Sequence, residues 1–180
     1  MTEPSNEVVL VGPKDEVLGT MDKLEAHVKG ELHRAFSVLL FNSKGETLIQ
    51  KRALGKYHSG GLWSNTCCSH PMPNESILSA GKRRLQEEVY LTARLEEAFF
   101  FTYRAELDNQ MIEHELDHVL FGQCESFGEL NPEEASEMKF ISLEELDHEI
   151  KQHPYLYTEW FKIILSQHRD KIDAYLKSKK

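Results

Sequence analysis

The chain has 180 residues, of which 40% are apolar and 28% charged, and its formal net charge is −9. This size and composition indicate a globular protein with one sizeable core, and the negative charge argues against general nucleic-acid binding. No apolar run of about 18 residues and no basic and then apolar leader is visible, and the three cysteines make a poor disulfide framework. We therefore expect a cytoplasmic protein that binds no membrane.

The first part of the chain predicts short strands separated by turns. Strands are expected at Glu7–Val11, at 32–41 and at 46–51, and the last two should form a hairpin. A short helix is expected over 21–28, ended by Gly30, because glycine often follows a helix C-terminus.

A longer helix is expected to begin after Pro73, with Asn74 as its N-cap. Apolar residues recur every four positions along it, which places them on one face. The residues of this face are Ile77, Gly81, Leu85 and Val89. A small residue on that face predicts close packing against a sheet. The charged stripes on the other sides, which pair Arg83 with Glu87 and Arg84 with Glu88, are typical of a solvated helix face.

The remaining elements mix strands and helices. We expect two strands joined by a turn at Asp108-Asn109, a further strand, a helix and a terminal amphipathic helix; their ranges are 97–106, 111–124, 137–141, 143–152 and 155–177. The mixed order predicts a single α+β domain over residues 1–180, with an N-terminal strand and helix extension over about 1–31.

The most informative short motif places a thiol two residues before an imidazole, at Cys68 and His70. In an extended segment side chains alternate, so these two share one face and Cys67 occupies the other. Cysteine and histidine both serve as acid/base groups and metal ligands. The alternative is a buried strand with two inert core thiols.

A second set of chemically active residues is dispersed along the chain. Glu113 and Glu115, followed by Asp117, point the same way on a strand, and such carboxylates repel one another unless they are hydrated or bind a cation. Imidazole with carboxylate suits Mn, Fe, Co or Zn, whereas carboxylate with water suits Mg. A chain with nine histidines produces some such sets by chance, so composition leaves a metal site open.

Several motifs in a fixed order extend these observations to a family resemblance. Residues Arg83 to Glu88 resemble the core of the Nudix box, although Pro73 and Asn74 stand where its glycine-bearing loop would be. The whole set resembles the type 1 isopentenyl-diphosphate isomerases, Nudix-fold enzymes that do not hydrolyse. It comprises Thr20-Met21-Asp22-Lys23, Ala26-His27, Leu32-His33-Arg34-Ala35-Phe36, Gln50-Lys51-Arg52-Ala53-Leu54, Lys56, Trp63 to Pro71, Tyr103-Arg104-Ala105, Glu113-His114-Glu115 and Trp160.

The resemblance implies a Nudix-like mixed β-sheet core flanked by helices and a small-molecule diphosphate substrate. It implies interconversion of isopentenyl and dimethylallyl diphosphate by a proton shift through a carbocation. One divalent ion, Mn²⁺, Zn²⁺ or Mg²⁺, would be bound by His27, His33, His70, Glu113 and Glu115. A further Mg²⁺ would be bound by Glu88 together with the diphosphate.

The resemblance also assigns roles around the substrate. The residues that would contact the diphosphate are Lys23, Arg52, Lys56 and Arg84. Cys68 and Glu115 would form the acid/base pair, with Tyr103 hydrogen-bonded to the proton path and Trp160 over the carbon skeleton. The sequence does not decide which of Cys68 and Glu115 donates the proton; the resemblance favours the Glu115 side as donor and Cys68 as acceptor.

Two other functions are compatible with parts of the sequence. One is a metal-dependent hydrolase of a different diphosphate, and the other is a non-catalytic Nudix-like binding module. The incomplete Nudix box disfavours the first, and the joint occurrence of Cys68, Glu115 and Trp160 disfavours the second. We expect a monomer or a weak homodimer.

Overall fold

The computed structural model describes residues 6–180 and shows one sheet with helices on both faces. The first five residues, which belong to the predicted N-terminal extension, lie outside the described part. In chain order the elements are β1 (Glu7–Val11), β2 (Val17–Asp22), α1 (Lys23–Lys29), β3 (His33–Phe41), β4 (Thr47–Arg52), β5 (Trp63–Ser64), β6 (Cys67–Ser69), α2 (Ile77–Val89), β7 (Leu95–Glu106), β8 (Ile112–Gln123), β9 (Ala135–Ile141), α3 (Leu143–Gln152), α4 (Glu159–Gln167) and α5 (Arg169–Ser178).

Strand β3 is the centre of the sheet. One edge of it pairs in parallel with β8, which continues antiparallel to β7. The other edge pairs in succession with β1, β6 and β4. The predicted hairpin of β3 and β4 is therefore paired only next to its turn, at Phe41 and Thr47. Beyond that pair β4 turns away to join β5 and β9, and β6 takes its place beside β3.

The alternation of side chains along β3 builds two separate cores. Phe36, Val38 and Leu40 pack towards α2, whereas Leu39 and Phe41 pack towards the C-terminal helices. Successive side chains of a strand point to opposite faces, so a central strand between two helical layers is apolar on both.

Helix α2 confirms its predicted packing face. Ile77, Gly81, Leu85 and Val89 are all buried, and a Cβ atom added at Gly81 would lie 2.6 Å from Leu120 Cδ1. The expectation that Asn74 caps this helix was wrong.

Ser76 is the actual N-cap of α2, and its side chain accepts a hydrogen bond from the Ser79 backbone N–H. Asn74 instead has a left-handed backbone with φ of 66°. Asparagine tolerates that conformation better than most residues, so it forms the turn that precedes the helix.

The expectation of one terminal helix over 155–177 was also wrong. The chain forms two helices, α4 and α5, which are separated at His168. Before α4, Pro154–Leu156 form one 3₁₀ turn. The next two residues are tied to β5, because Tyr157 bridges to Trp63 and the Thr158 N–H donates to the Trp63 carbonyl at 3.0 Å.

The N-terminal segment contains one strand that the sequence analysis did not predict. This is β2, which pairs antiparallel with β1 and leads directly into α1. Gly30 ends α1 in the left-handed conformation, as predicted. Among residues 6–180, no helix has the length and apolar character needed to cross a lipid bilayer.

Candidate active site

The candidate site lies at the N-terminal end of β3, where that strand runs beside β8. Glu113, Glu115 and Asp117 alternate along β8 and so share the face on which Val119 and Phe121 meet the C-terminal helices. Parallel pairing aligns His33 with Glu115. The same apolar face that forms the core therefore ends in a buried set of acids and imidazoles.

Four of the predicted metal ligands come together around one carboxylate. The Nε2 atoms of His70, His33 and His27 lie 2.9, 3.4 and 3.9 Å from Glu115 Oε1. One donor atom from each of these four residues lies within 4.8 Å of all the others.

The backbone fixes the orientation of two of these imidazoles. His27 Nδ1 lies 2.7 Å from the Lys23 carbonyl oxygen, and His33 Nδ1 lies 2.8 Å from that of Glu31. Because a carbonyl oxygen only accepts, each Nδ1 carries the proton and each Nε2 presents its lone pair to the cluster. Both Nε2 atoms are buried and have no hydrogen-bond partner. Buried polar atoms are normally paired, so this donor set fits a divalent cation.

The fifth predicted ligand, Glu113, falls in a second donor group. Its partners there are His27 and His58, again with donor atoms within 4.8 Å of one another. Burial and the neighbouring Glu115 raise the pKa of Glu113 well above its usual value. Burial raises the pKa of Glu115 as well, but the His70 imidazole, 2.9 Å from Glu115 Oε1, and the neighbouring His33 imidazole outweigh burial and hold the pKa of that carboxyl well below its usual range.

The predicted acid/base residues face the same cleft. Cys68 and Glu115 both line it, and the Tyr103 hydroxyl donates to Glu115 Oε2 at 2.8 Å. Burial raises the pKa of the Cys68 thiol to about 12, although the Arg52 guanidinium, 3.6 Å from the sulfur, opposes the shift.

The two adjacent thiols have different surroundings, as the predicted alternation requires. Cys67 is fully buried in the α2 core, while Cys68 is partly accessible and lines the cleft. Strand β6 achieves this by pairing with the middle of β3, where Cys68 lies opposite Ser37.

All four predicted diphosphate contacts line the cleft: Lys23, Arg52, Lys56 and Arg84. Two of them already have a counterion, because Glu134 forms ion pairs with both Lys56 and Arg84. Burial lowers the pKa of Lys23, and the nearby charges of Lys56 and Arg84 lower it further. A cluster of partly buried cations in an acidic protein is an anion site.

Glu88 lies behind the cationic rim and is 4% exposed. It accepts hydrogen bonds from Gln50 Nε2 at 2.9 Å and from Arg84 Nη2 at 2.8 Å. The interpretation of the Arg84 and Glu88 stripe as a solvated helix face was therefore wrong. Arg83 and Glu87, one position earlier, do form the more exposed pair that the pattern predicts.

Trp160 forms one wall of the cleft and is 2% exposed overall. Its indole N–H donates to Asn65 Oδ1 at 3.0 Å. The Asn65 amide in turn donates to the carbonyls of Val38 and Cys67. One buried side chain therefore links the Trp160 ring to the strand that carries Cys68.

Several residues of the site were not assigned from sequence. His58 and Tyr57 line the cleft from the loop after β4, Glu134 neutralises the cationic rim, and Asn65 holds Trp160. The only sequence signal was the presence of an imidazole beside Lys56 in a glycine-containing loop. Nothing in that loop's composition indicates that it folds inward.

The fold and the acid, imidazole and cation arrangement define a NUDIX-domain protein. Residues 31–161 match the family model described as the NUDIX domain. A solved structure of a protein from Deinococcus radiodurans is similar in fold, with a TM-score of 0.66 at 18% sequence identity, over 81% of this chain and 89% of that one.

Curated relatives are similar over almost the whole chain. The Isopentenyl-diphosphate Delta-isomerase of Pectobacterium atrosepticum is 49% identical over 172 residues, which cover 96% of each chain. The Isopentenyl-diphosphate Delta-isomerase 2 of Aromatoleum aromaticum is 45% identical over 162 residues, which cover 90% of this chain and 86% of the relative. The chain belongs to the isopentenyl-diphosphate Delta-isomerase family.

Proposed function

We propose that this chain interconverts isopentenyl diphosphate and dimethylallyl diphosphate in isoprenoid biosynthesis. The reaction adds a proton at one carbon of an unactivated alkene and removes another proton two carbons away. No carbonyl is present to stabilise a carbanion, so the accessible route is a tertiary carbocation. The observation that carries the proposal is a thiol and a carboxylate, Cys68 and Glu115, in one cleft beside a cationic rim.

We infer that one of Cys68 and Glu115 is protonated and the other is not in the resting site, as an acid/base pair requires. The opposite directions in which the pKa values of the Cys68 thiol and the Glu115 carboxyl are shifted support this inference. After one turnover the proton has changed sides, so the same pair serves the reverse reaction. Tyr103, hydrogen-bonded to Glu115 at 2.8 Å, holds the orientation of that carboxylate and lies on its proton path.

We infer that one divalent ion, Mn²⁺, Zn²⁺ or Mg²⁺, is held by His27, His33, His70, Glu113 and Glu115. The unpartnered, buried Nε2 atoms of His27 and His33 support this ligand set. When bound, the ion would withdraw charge from Glu115 and fix its orientation.

We further infer that the substrate diphosphate binds Lys23, Arg52, Lys56 and Arg84, with Mg²⁺ held between it and Glu88. Glu134 forms ion pairs with Lys56 and Arg84. The incoming diphosphate therefore replaces a carboxylate as the counterion of these two side chains. Such replacement avoids leaving buried cations unpaired in either state.

The hydrocarbon part of the substrate requires a site that excludes water and tolerates positive charge. Trp160 forms an apolar wall of the cleft, and its π face can stabilise a cation by about 2 kcal/mol when both are desolvated. Water at this position would trap the carbocation as an alcohol, so exclusion of water is part of the chemistry.

The proposal is tested by product analysis with isopentenyl diphosphate and Mg²⁺. The expected result is dimethylallyl diphosphate with no release of phosphate. Phosphate release from the substrate, or from a panel of other diphosphates, without allylic product would establish the hydrolase alternative. Saturable binding with neither product would establish the binding-module alternative.

The proposed enzyme acts in the cytoplasm on a small diphosphate, as a monomer or weak homodimer, without nucleic-acid or membrane partners. One chain supplies every residue of the proposed site, which supports activity in the monomer. The measurement is turnover at protein concentrations spanning the monomer range defined by light scattering. A specific activity independent of concentration is expected, and activity confined to an oligomer would contradict it.

A further inference from the structure

Among residues 6–180, two imidazoles line the cleft, those of His58 and His70. His70 belongs to the five-residue ligand set of the proposed function, whereas His58 has no role in it. Its side chain is 4% exposed, and its Nε2 lies 3.6 Å from Glu113 Oε1. The loop that carries it is held in place, because Arg52 Nη2 donates to the His58 carbonyl and Arg52 Nε donates to the Ser59 carbonyl, both at 3.2 Å. His58 Nδ1 lies 3.2 Å from Ser59 Oγ, which leaves Nε2 directed at the acidic cluster.

The donor groups of the site overlap in one atom. His27 belongs both to the group with His33, His70 and Glu115 and to the group with His58 and Glu113. Its Nδ1 is engaged by the Lys23 carbonyl, so both groups use the same unpartnered Nε2. One imidazole nitrogen coordinates one ion at a time, so an ion bound by His27 can take its further ligands from either group.

The spacing of the donors within each group agrees with ligation of one ion. Ligand atoms about 2.1 Å from one ion lie roughly 3 to 4.3 Å from one another. The separation of 3.6 Å between His58 Nε2 and Glu113 Oε1 falls in this range, as do those of Glu115 Oε1 from His33 and His27, at 3.4 and 3.9 Å. The other oxygen of this carboxylate, Glu113 Oε2, is buried and has no hydrogen-bond partner. The carboxylate beside His58 therefore also has an unsatisfied polar atom.

We propose that His58 is a further ligand of the divalent ion, so that four imidazoles and two carboxylates surround it. The inference rests on the metal site of the proposed function and extends it by one residue. His58 also contacts the Trp160 ring, with ring centroids 6.1 Å apart. Its ligation therefore ties the loop after β4 to the metal and to the wall of the substrate cleft.

The competing role for His58 is a hydrogen bond to Glu113 without contact to the ion. Loss of metal affinity in a variant does not separate the two, because removing a hydrogen-bond partner of a ligand also weakens metal binding by about 10- to 100-fold. The number of imidazoles on the ion does separate them. It is measured on the wild-type protein itself, so no variant has to fold for the test to be valid.

The experiment is X-ray absorption spectroscopy of the full chain loaded with one equivalent of Zn²⁺ or Co²⁺. Four coordinated imidazoles are expected in the wild type and three in His58→Gln, whose amide keeps a hydrogen-bond donor for Glu113. His148→Gln changes an exposed histidine on α3 and should retain four. Three imidazoles in the wild type would overturn the role of His58 and leave the metal site intact. Failure of the wild type to bind the ion would overturn the metal site as well.

Discussion

The two faces of the sheet are built from the same strands but differ in the buried polar atoms that they leave without hydrogen-bond partners. On the α2 face the buried side chains of β3 and β6 are apolar, and Cys67 is one more core residue among them. On the opposite face the apolar core gives way to buried acids and imidazoles, and among residues 6–180 the His33 Nε2 and Glu113 Oε2 atoms there have no hydrogen-bond partner. Buried polar atoms are normally paired, so the unpaired atoms on this face indicate a ligand that satisfies them.

Metal removal should produce the largest difference between the faces. Because His33 presents an unpartnered Nε2 to the cluster, His33→Ala should lose bound metal and turnover. Chelation of the wild type should abolish activity and lower its melting temperature, since an ion bound only to the native state stabilises it.

The matched control for His33 is His118, which lies on the opposite face and pairs with Asp15 at 3.0 Å. His118→Ala should keep its metal content and lose only some stability. Elemental analysis of the two variants measures whether only His33→Ala has lost its metal. Full activity of a rigorously metal-free wild type would remove the basis for the comparison.

The second difference concerns the two adjacent thiols. Cys68→Ala should lower turnover by about 10²- to 10⁴-fold or more, since it removes an acid/base group. Cys67→Ala should retain near wild-type turnover because its thiol lies in the α2 core. Steady-state kinetics on both variants tests this, with circular dichroism to verify folding. An equal loss in both would mean that the cleft does not distinguish them chemically.

The third difference concerns the neighbouring arginines of α2. Arg84 lines the cleft, whereas Arg83 pairs with Glu75 and Glu87 away from it. Arg84→Gln should raise KM about 10- to 100-fold, since a hydrogen bond to a charged group contributes about 1.5 to 3 kcal/mol. Arg83→Gln should leave KM within about twofold. A larger effect at Arg83 would place the diphosphate elsewhere.

The smallest difference is expected between adjacent residues of α4. Trp160→Leu should lower kcat by roughly 30-fold, which corresponds to about 2 kcal/mol of cation stabilisation. Phe161 is fully buried in the core below. Phe161→Leu should lower the melting temperature and leave kcat nearly unchanged. A similar loss of kcat in both variants would assign Trp160 a packing role alone.

The features that follow a local period were predictable from the sequence. The opposite facing of Cys67 and Cys68, the shared face of Glu113 and Glu115, and the packing face containing Gly81 each depend only on the repeat of a strand or helix. The strand β2 was not predicted, nor was the break of the terminal helix at His168. Both depend on pairing with residues distant in sequence.

The contributions of loop residues to the site could not be predicted for the same reason. His58 reaches Glu113, which is 55 positions away in sequence, only because Arg52 anchors the loop after β4. Glu134 meets Lys56 and Arg84 through a loop tied to the end of α2, where the Asn131 N–H donates to the Glu88 carbonyl. The family resemblance named Lys56 in the loop after β4 but omitted His58 and Glu134.

The central claim is that protons pass between the substrate and groups that exchange with solvent. It is tested by running the reaction in heavy water with isopentenyl diphosphate and Mg²⁺, and by following the product by NMR. The newly formed methyl group of dimethylallyl diphosphate should carry deuterium, and prolonged incubation should add more because the reaction is reversible. Glu115→Gln should incorporate none, with its metal content measured alongside. Dimethylallyl diphosphate that forms without deuterium, or phosphate release without any allylic product, would contradict the account.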